Sequence, residues 1–262
     1  MTRQSLGPPA IVVALFLAAW EIYARSSGVS PFVLPSPSRV LESLWLFRDQ
    51  AFRHVLPTIV ETLVGFSVSI AAAVGAAIVM DRLPIVRRAL APLMIGSQTI
   101  PIVAIAPLVI VWFGFGLAPK ILVVVLVTFF PITVALLDGF ASTSAEATDL
   151  MRSLGASAGQ QFRKLRWPSA LPALFTGLRI SATYAVIAAV IAEYVGATEG
   201  LGIWMQLSQR SFRTDLVFGA ILLTAVLSIA LFALVVAVER AVLPWYRASR
   251  AARLPERSSE AA

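Results

Sequence analysis

The side chains able to do chemistry in this chain are few, and several of them stand inside apolar runs. Glu193 lies near one end of the run 174–195. An ionisable group inside a membrane segment is a functional candidate by default, and the competing reading places its carboxylate at the water interface. Ser97, Gln98 and Thr99 fall beside Pro101 in an earlier run, and Thr183 and Tyr184 share the run of Glu193. Polar groups at such depth need partners, so they either line a path for a polar solute or hydrogen-bond to a neighbouring helix. Nothing in their spacing clusters them for catalysis. His54 is the single histidine and there are no cysteines, which removes thiolate chemistry, disulfides and His/Cys metal sites. The only lysines, Lys120 and Lys164, do not follow a Gly-x-x-x-x-Gly, so the chain has no phosphate-cradling loop. No catalytic residue, metal or cofactor is expected, and any ATP hydrolysis must come from another polypeptide.

A different kind of signal lies in the interval 138–172, the longest polar stretch within the apolar part of the chain. It contains Asp149-Leu-Met-Arg-Ser-Leu-Gly155 and, nine residues after that glycine, Leu165-Arg-Trp-Pro168. The pattern predicts a short amphipathic helix from Glu146 to about Leu154, stopped by Gly155 in the left-handed conformation. Leu150, Met151 and Leu154 would then form an apolar face able to seat in a groove of a partner. A second helix is expected to end before Pro168, whose ring and missing N–H disfavour continuation.

The elements that must position these residues follow from hydropathy. Of the 262 residues, 58% are hydrophobic and only 13% charged, with a mean hydropathy of +0.85. Soluble domains run near half apolar and a quarter charged. Six runs approach or exceed the roughly 20 residues needed to cross a bilayer: 9–24, 56–80, 89–113, 120–137, 174–195 and 216–238. The net charge of +7 does not point to nucleic acid, because the basic residues gather at the ends of these runs rather than along a soluble basic face. Arg82, Arg87, Arg88, Arg152, Arg163, Lys164 and Arg166, together with the tail arginines, give one side of the membrane about twice the Lys and Arg of the other. Both termini are therefore expected in the cytoplasm. Ser26 to Ser38 reads as an outer loop, Ser38 as the cap of a partly polar helix, and 246–262 as a basic, disordered tail.

The interval around Gly155 resembles the cytoplasmic loop of binding-protein-dependent ABC permeases, which reads Glu-Ala-Ala, three residues, Gly, nine residues, Ile-x-Leu-Pro. Asp149 takes the place of the glutamate, and Leu150 and Met151 replace the two alanines. The resemblance covers most of the chain. Phe32-Val-Leu-Pro-Ser-Pro-Ser38 is similar to the first outer segment of permeases for sulfonates, taurine, nitrate and thiamine precursors. Met80-Asp-Arg-Leu-Pro-Ile-Val86, Ser97-Gln-Thr-Ile-Pro101, Trp112-Phe-Gly-Phe-Gly116, Gly177-Leu-Arg-Ile-Ser-Ala-Thr-Tyr184 and Gly196-Ala-Thr-Glu-Gly-Leu-Gly202 are most like the branch for the pyrimidine precursor of thiamine.

The resemblance implies an all-α membrane protein of about six transmembrane helices with the type I ABC importer permease fold, over residues 1–245. It implies cytoplasmic ABC ATPase subunits, an extracytoplasmic solute-binding protein, a permease homodimer in membrane lipid, and no nucleic acid. In its terms Asp149, Leu150, Met151, Leu154, Gly155, Leu165 and Pro168 couple to the ATPase, and Ser97, Gln98, Thr99, Thr183, Tyr184 and Glu193 are candidates for the solute path. Alternatives are an importer for sulfonate, taurine, nitrate or a riboflavin-type solute, or a secondary transporter. The last would require internal repeats and ion-coupling carboxylates beyond Glu61 and Glu193. Because the chain lacks cysteine, its topology can be read directly. Single cysteines placed between 146 and 168 are expected to react with an impermeant thiol reagent only in inside-out vesicles; reaction from the outer face would contradict the orientation.

Overall fold

The computed structural model describes residues 7–246. The proposed tail disorder concerns residues that, Tyr246 apart, lie outside that range. Among the described residues there are helices and turns and no strand. In order, these are α1 (Gly7–Ser26), α2 (Pro37–Leu46), α3 (Arg48–Arg82), α4 (Pro84–Ser97), α5 (Ile102–Phe113), α6 (Leu117–Ala141), α7 (Ala145–Ser153), α8 (Ala158–Gln161), α9 (Trp167–Gly196), α10 (Leu201–Arg210) and α11 (Thr214–Val242). A π-helical turn, Phe162–Arg166, joins α8 to α9.

Five helices are long and apolar enough to cross a membrane, and the pair α4–α5 makes a sixth span if its two bent halves count as one. The apolar run 89–113 is therefore not one straight helix: α4 and α5 meet at 105°. Pro101 explains the break. It lacks an N–H, restrains the residue before it to extended conformations, and stands as the N-cap of α5 with φ −60° and ψ 124°. The Gln98 and Thr99 amides close short turns onto Ile95 and Gly96 instead.

Two other local expectations are revised in the same way. Ser36, not Ser38, caps α2: its hydroxyl accepts from the Arg39 amide, and Pro37 fills the first helical turn, where a missing N–H costs nothing. Ser38 instead donates its hydroxyl and amide to Glu21, which ties α1 to α2. The helix expected to end before Pro168 continues through it. The helical path runs from Ala158 to Gly196, with Pro168 in the first turn of α9. The π turn ahead of it widens the backbone, so the proline ring is accommodated without a break.

The centre of the bundle is α9, which packs against α6, α11 and α3. In lipid no hydrophobic effect drives helix against helix, so close approach of small residues must do so. Gly139 of α6 faces the Ala170 backbone, where an added Cβ would lie 2.9 Å from its Cα. Gly177 of α9 lies against Pro131, Ile132 and Ala135 of α6, and Gly65 of α3 against Val124 of α6. Around these contacts Phe66, Ile132, Leu136, Phe140, Ala182 and Val186 form the buried core. By contrast α1 buries no residue and α11 keeps Leu222, Val226 and Ile229 exposed, as helices facing lipid do. Gly139→Val forces the α6 and α9 backbones apart. We expect a loss of about 1–3 kcal/mol, seen as a lower unfolding temperature in detergent; an unchanged midpoint would contradict the tight contact.

Candidate functional site

Two regions of the bundle concentrate polar geometry, one at each end. At the end assigned to the cytoplasm, α7 starts at Ser144, whose hydroxyl accepts from the Ala147 amide. Glu146 in its first turn and Arg152 in its last both complement the helix dipole. The helix closes at Gly155, φ +77°, with the Gly155 amide bonded to the Arg152 carbonyl (3.0 Å) and the Ala156 amide to that of Met151 (2.9 Å). This pair of reversed bonds is the Schellman arrangement, and the positive φ is why a glycine stands there. Ser157 then opens α8 with a reciprocal capping box to Gln160.

None of the residues of α7 is buried. Leu150 is 61% and Leu154 78% exposed, while Met151 is half-buried. Asp149 is exposed and pairs only with Arg152, one turn on, at 3.2 Å, a contact of little energetic weight in water. Leu165 and Pro168 are half-buried where the segment rejoins the bundle. The arrangement offers a short, closed helix that presents bare leucines to whatever lies below the membrane.

At the opposite end a buried polar cluster gathers four helices. Glu193 of α9 is fully buried. Its Oε1 accepts from the Thr58 hydroxyl of α3 (2.6 Å) and its Oε2 from the Gly202 amide in the first turn of α10 (2.6 Å). The Thr58 oxygen in turn accepts from the Leu201 amide (2.9 Å), and His54 Nδ1 accepts from the Gly200 amide (3.1 Å). His54 also stacks on Trp204 with ring centroids 5.7 Å apart. One turn deeper on α3, Glu61 is bonded to Lys120 of α6 (2.5 Å). The amides of Gly200, Leu201 and Gly202 at the start of α10 thus all receive side-chain acceptors from neighbouring helices. Gly200 and Gly202 have no room for a Cβ, which would meet the Glu193 side chain.

The remaining polar residues singled out in sequence lie apart from that cluster. Ser97, Gln98 and Thr99 are exposed at the α4–α5 bend, and the Ser97 and Thr99 hydroxyls donate to Met94 and Gly96 in their own turns. Thr183 donates to Ile180, also within its helix, and Tyr184 is half exposed. Their free faces point away from the core of this subunit. Sequence reasoning missed Thr58, Lys120 and the glycine cradle around Glu193. The spacing Glu193…Gly200-Leu-Gly202 carries a signal only once the chain is known to reverse between α9 and α10.

Residues 65–244 match the family described as "binding-protein-dependent transport system inner membrane component". The chain belongs to that family. Like its relatives, it is an inner-membrane permease subunit of an ABC importer and not an enzyme; a separate ATPase and a solute-binding protein complete such a system. Among similar proteins, the formylaminopyrimidine transport permease protein ThiX of Halalkalibacterium halodurans is 38% identical, covering 90% of this chain and 95% of its own. The riboflavin transport system permease protein RibX of Chloroflexus aurantiacus is 34% identical, covering 92% and 90%. The taurine transport system permease protein TauC of Escherichia coli is 31% identical, covering 89% and 88%. A chain of the MetNI methionine ABC transporter in an inward-facing conformation superposes with a TM-score of 0.53 at 21% identity. It aligns over 75% of the permease and 98% of its own length, which shows a shared fold.

Within the permease, Glu193→Ala strands the Gly202 amide in a buried site and leaves the Thr58 hydroxyl only the His54 carbonyl of its own helix. We expect a loss on the order of 3 kcal/mol, read as a lower detergent unfolding temperature, with Thr58→Val costing less. Equal stability of Glu193→Ala and the parent would mean that the cluster is not a clamp.

Proposed function

We propose that the permease works as a pair of identical copies in an importer for a small polar heterocycle of the aminopyrimidine class, with α7 as its contact to the ATPase. The observation that carries the coupling part is α7 itself: a glycine-closed helix, free of buried residues, that shows Leu150 and Leu154 to the solvent side of the membrane. Exposed leucines on an isolated polar segment fit a groove on a partner rather than the bundle from which they project. ATP binding then closes the ATPases and draws the two α7 helices together. The permease pair shifts toward the outward-facing state, receives solute from the binding protein, and returns inward on hydrolysis. ATP drives this cycle only through its unequal affinity for the two states.

The substrate part rests on the 38% identity to a formylaminopyrimidine permease; riboflavin and taurine permeases are similar at 34% and 31%. In this reading Ser97, Gln98, Thr99, Thr183 and Tyr184 line the path between the two copies. They are polar, exposed on the single subunit, and clear of its core. Glu193, also a candidate for the path, is buried with both oxygens engaged by Thr58 and Gly202, and would have to release them to meet a solute.

Three measurements test these parts separately. The permease extracted in mild detergent should carry the cognate ATPase with it, and absence of any ATPase would defeat the importer assembly. Gly155→Asp should abolish uptake while leaving membrane insertion intact, because a side chain strains the φ +77° backbone that closes α7 and puts a charge beside Leu154. Unimpaired transport by that variant would remove α7 from the mechanism. The cognate binding protein should be stabilised against heat by a formylaminopyrimidine and not by taurine or riboflavin; the reverse preference would reassign the substrate.

A further inference from the structure

At the cytoplasmic end, the polar segment 142–166 meets the transmembrane helices through a compact junction. Arg166, the last residue of the π turn, is bonded to Asp81 at the end of α3 at 2.7 Å. The Asp81 side chain is 8% exposed, and its other carboxylate oxygen is buried without a hydrogen-bond partner. Beside the pair lie three rings: Phe140 of α6, Phe162 of the π turn and Trp167 of α9, with centroids 5.6 to 6.3 Å apart. The Arg166 guanidinium stands 5.9 Å over Phe140 and that of Arg82 5.2 Å over Phe162. Three helices and the root of the α7–α8 segment are thus joined at one place.

We propose that the Asp81–Arg166 pair is the positioning contact through which movement of the α7–α8 segment is delivered to α3, and by α3 to the outer face. The inference rests on the assignment of α7 as the ATPase contact, and adds the residues that pass its movement on. α7 buries nothing, so it cannot push the bundle by packing. Its continuation through α8 reaches the bundle at the π turn, a helix form frequent at functional sites. There the buried Asp81 carboxylate leans on the Arg166 guanidinium. Pulling the two apart leaves a desolvated charge uncompensated, so α3 must follow Arg166. α3 is one continuous helix from Arg82 back to Arg48. Near its far end it carries Thr58 and Glu61, which hold Glu193 and Lys120. Displacement at Asp81 is therefore carried to the outer polar cluster without an intervening hinge.

The test uses the whole importer, the permease with its cognate ATPase and binding protein, in proteoliposomes. A single cysteine at the exposed outer position Leu56 of α3 reports the rate of labelling by an impermeant maleimide, with and without ATP trapped by vanadate. In an otherwise unaltered permease, trapping should change that rate. Asp81→Asn should bind the ATPase and still hydrolyse ATP, yet lose about fivefold of the ATP-dependent change. The reciprocal exchange of Asp81→Arg with Arg166→Asp should restore most of it, which ties the loss to the pair; retained ATPase binding and hydrolysis in Asp81→Asn separate it from a merely structural lesion. A full response in Asp81→Asn overturns the inference and leaves the assignment of α7 standing. No response in the parent, or no ATPase bound to it, overturns both. Should Asp81→Asn fail to elute as an assembled complex, Asp81→Glu and Arg166→Lys, which keep both charges, are read on the same assay. Unchanged responses in both overturn the inference, and a diminished response in either supports it.

Discussion

Where Gly139 of α6 meets the Ala170 backbone, and Gly177 of α9 meets Pro131 to Ala135, two long helices approach more closely than any larger side chain would permit. Lipid tails are as apolar as leucine, so helices in a bilayer gain little by hiding apolar surface from them; they gain by backbone contact and dispersion. The α6–α9 seam is that contact here, and the rest of the fold is arranged about it. Gly65 lets α3 join on the α6 side, and α11 packs against α9 with much of its surface left for lipid. A chain whose spans carried bulky residues at these positions would present the same hydropathy and could not assemble this bundle.

Polar groups in such a setting are expensive unless partnered, and the permease confines its buried ones largely to the two ends. At the outer end Glu193 and Thr58 supply acceptors and a donor that satisfy the first turn of α10. At the inner end Asp81 and Arg166 meet beside the Phe140, Phe162 and Trp167 rings. α3 takes part in both. The middle of the bundle, where Ala73, Ala77, Ala182 and Ala185 pack, is apolar apart from hydroxyls such as those of Thr128 and Ser181, which bond to backbone carbonyls. A stiff apolar middle with tied ends suits a subunit that moves as a body, and α7 stands outside it with its leucines bare.

Several elements were legible before any coordinates. The stop at Gly155 follows from a polar helix meeting a glycine, and the positive φ and reversed bonds found there are local properties that a few residues determine. The spans 56–80, 120–137, 174–195 and 216–238 each reappear as the apolar stretch of a longer helix, because polar residues continue the helical path beyond the hydrocarbon. The run 89–113 was misleading for a definite reason: hydropathy counts apolar residues and is blind to direction, whereas Pro101 turns the chain by 105° without altering composition. Pro168 misled in the opposite sense, since a π turn three-dimensionally absorbs a residue that local rules treat as a stop.

By itself the sequence determined that this chain lives in a bilayer, which way its arginines orient it, where its polar interval bends at a glycine, and that it has no phosphate-binding loop. Each of these depends on residue type and on neighbours a few positions away. The tertiary structure decided which polar groups meet. Glu193 and Thr58 are 135 positions apart, and Asp81 and Arg166 are 85 apart; their partnership arises only when α3, α6 and α9 close around their glycines. Separation of that order carries no local signature, because a carboxylate in an apolar run looks the same in sequence whether it binds a solute, snorkels to water or caps another helix. Burial and hydrogen-bond geometry come only with the fold, and at Glu193 they put the Thr58 hydroxyl and the Gly202 amide on its two oxygens.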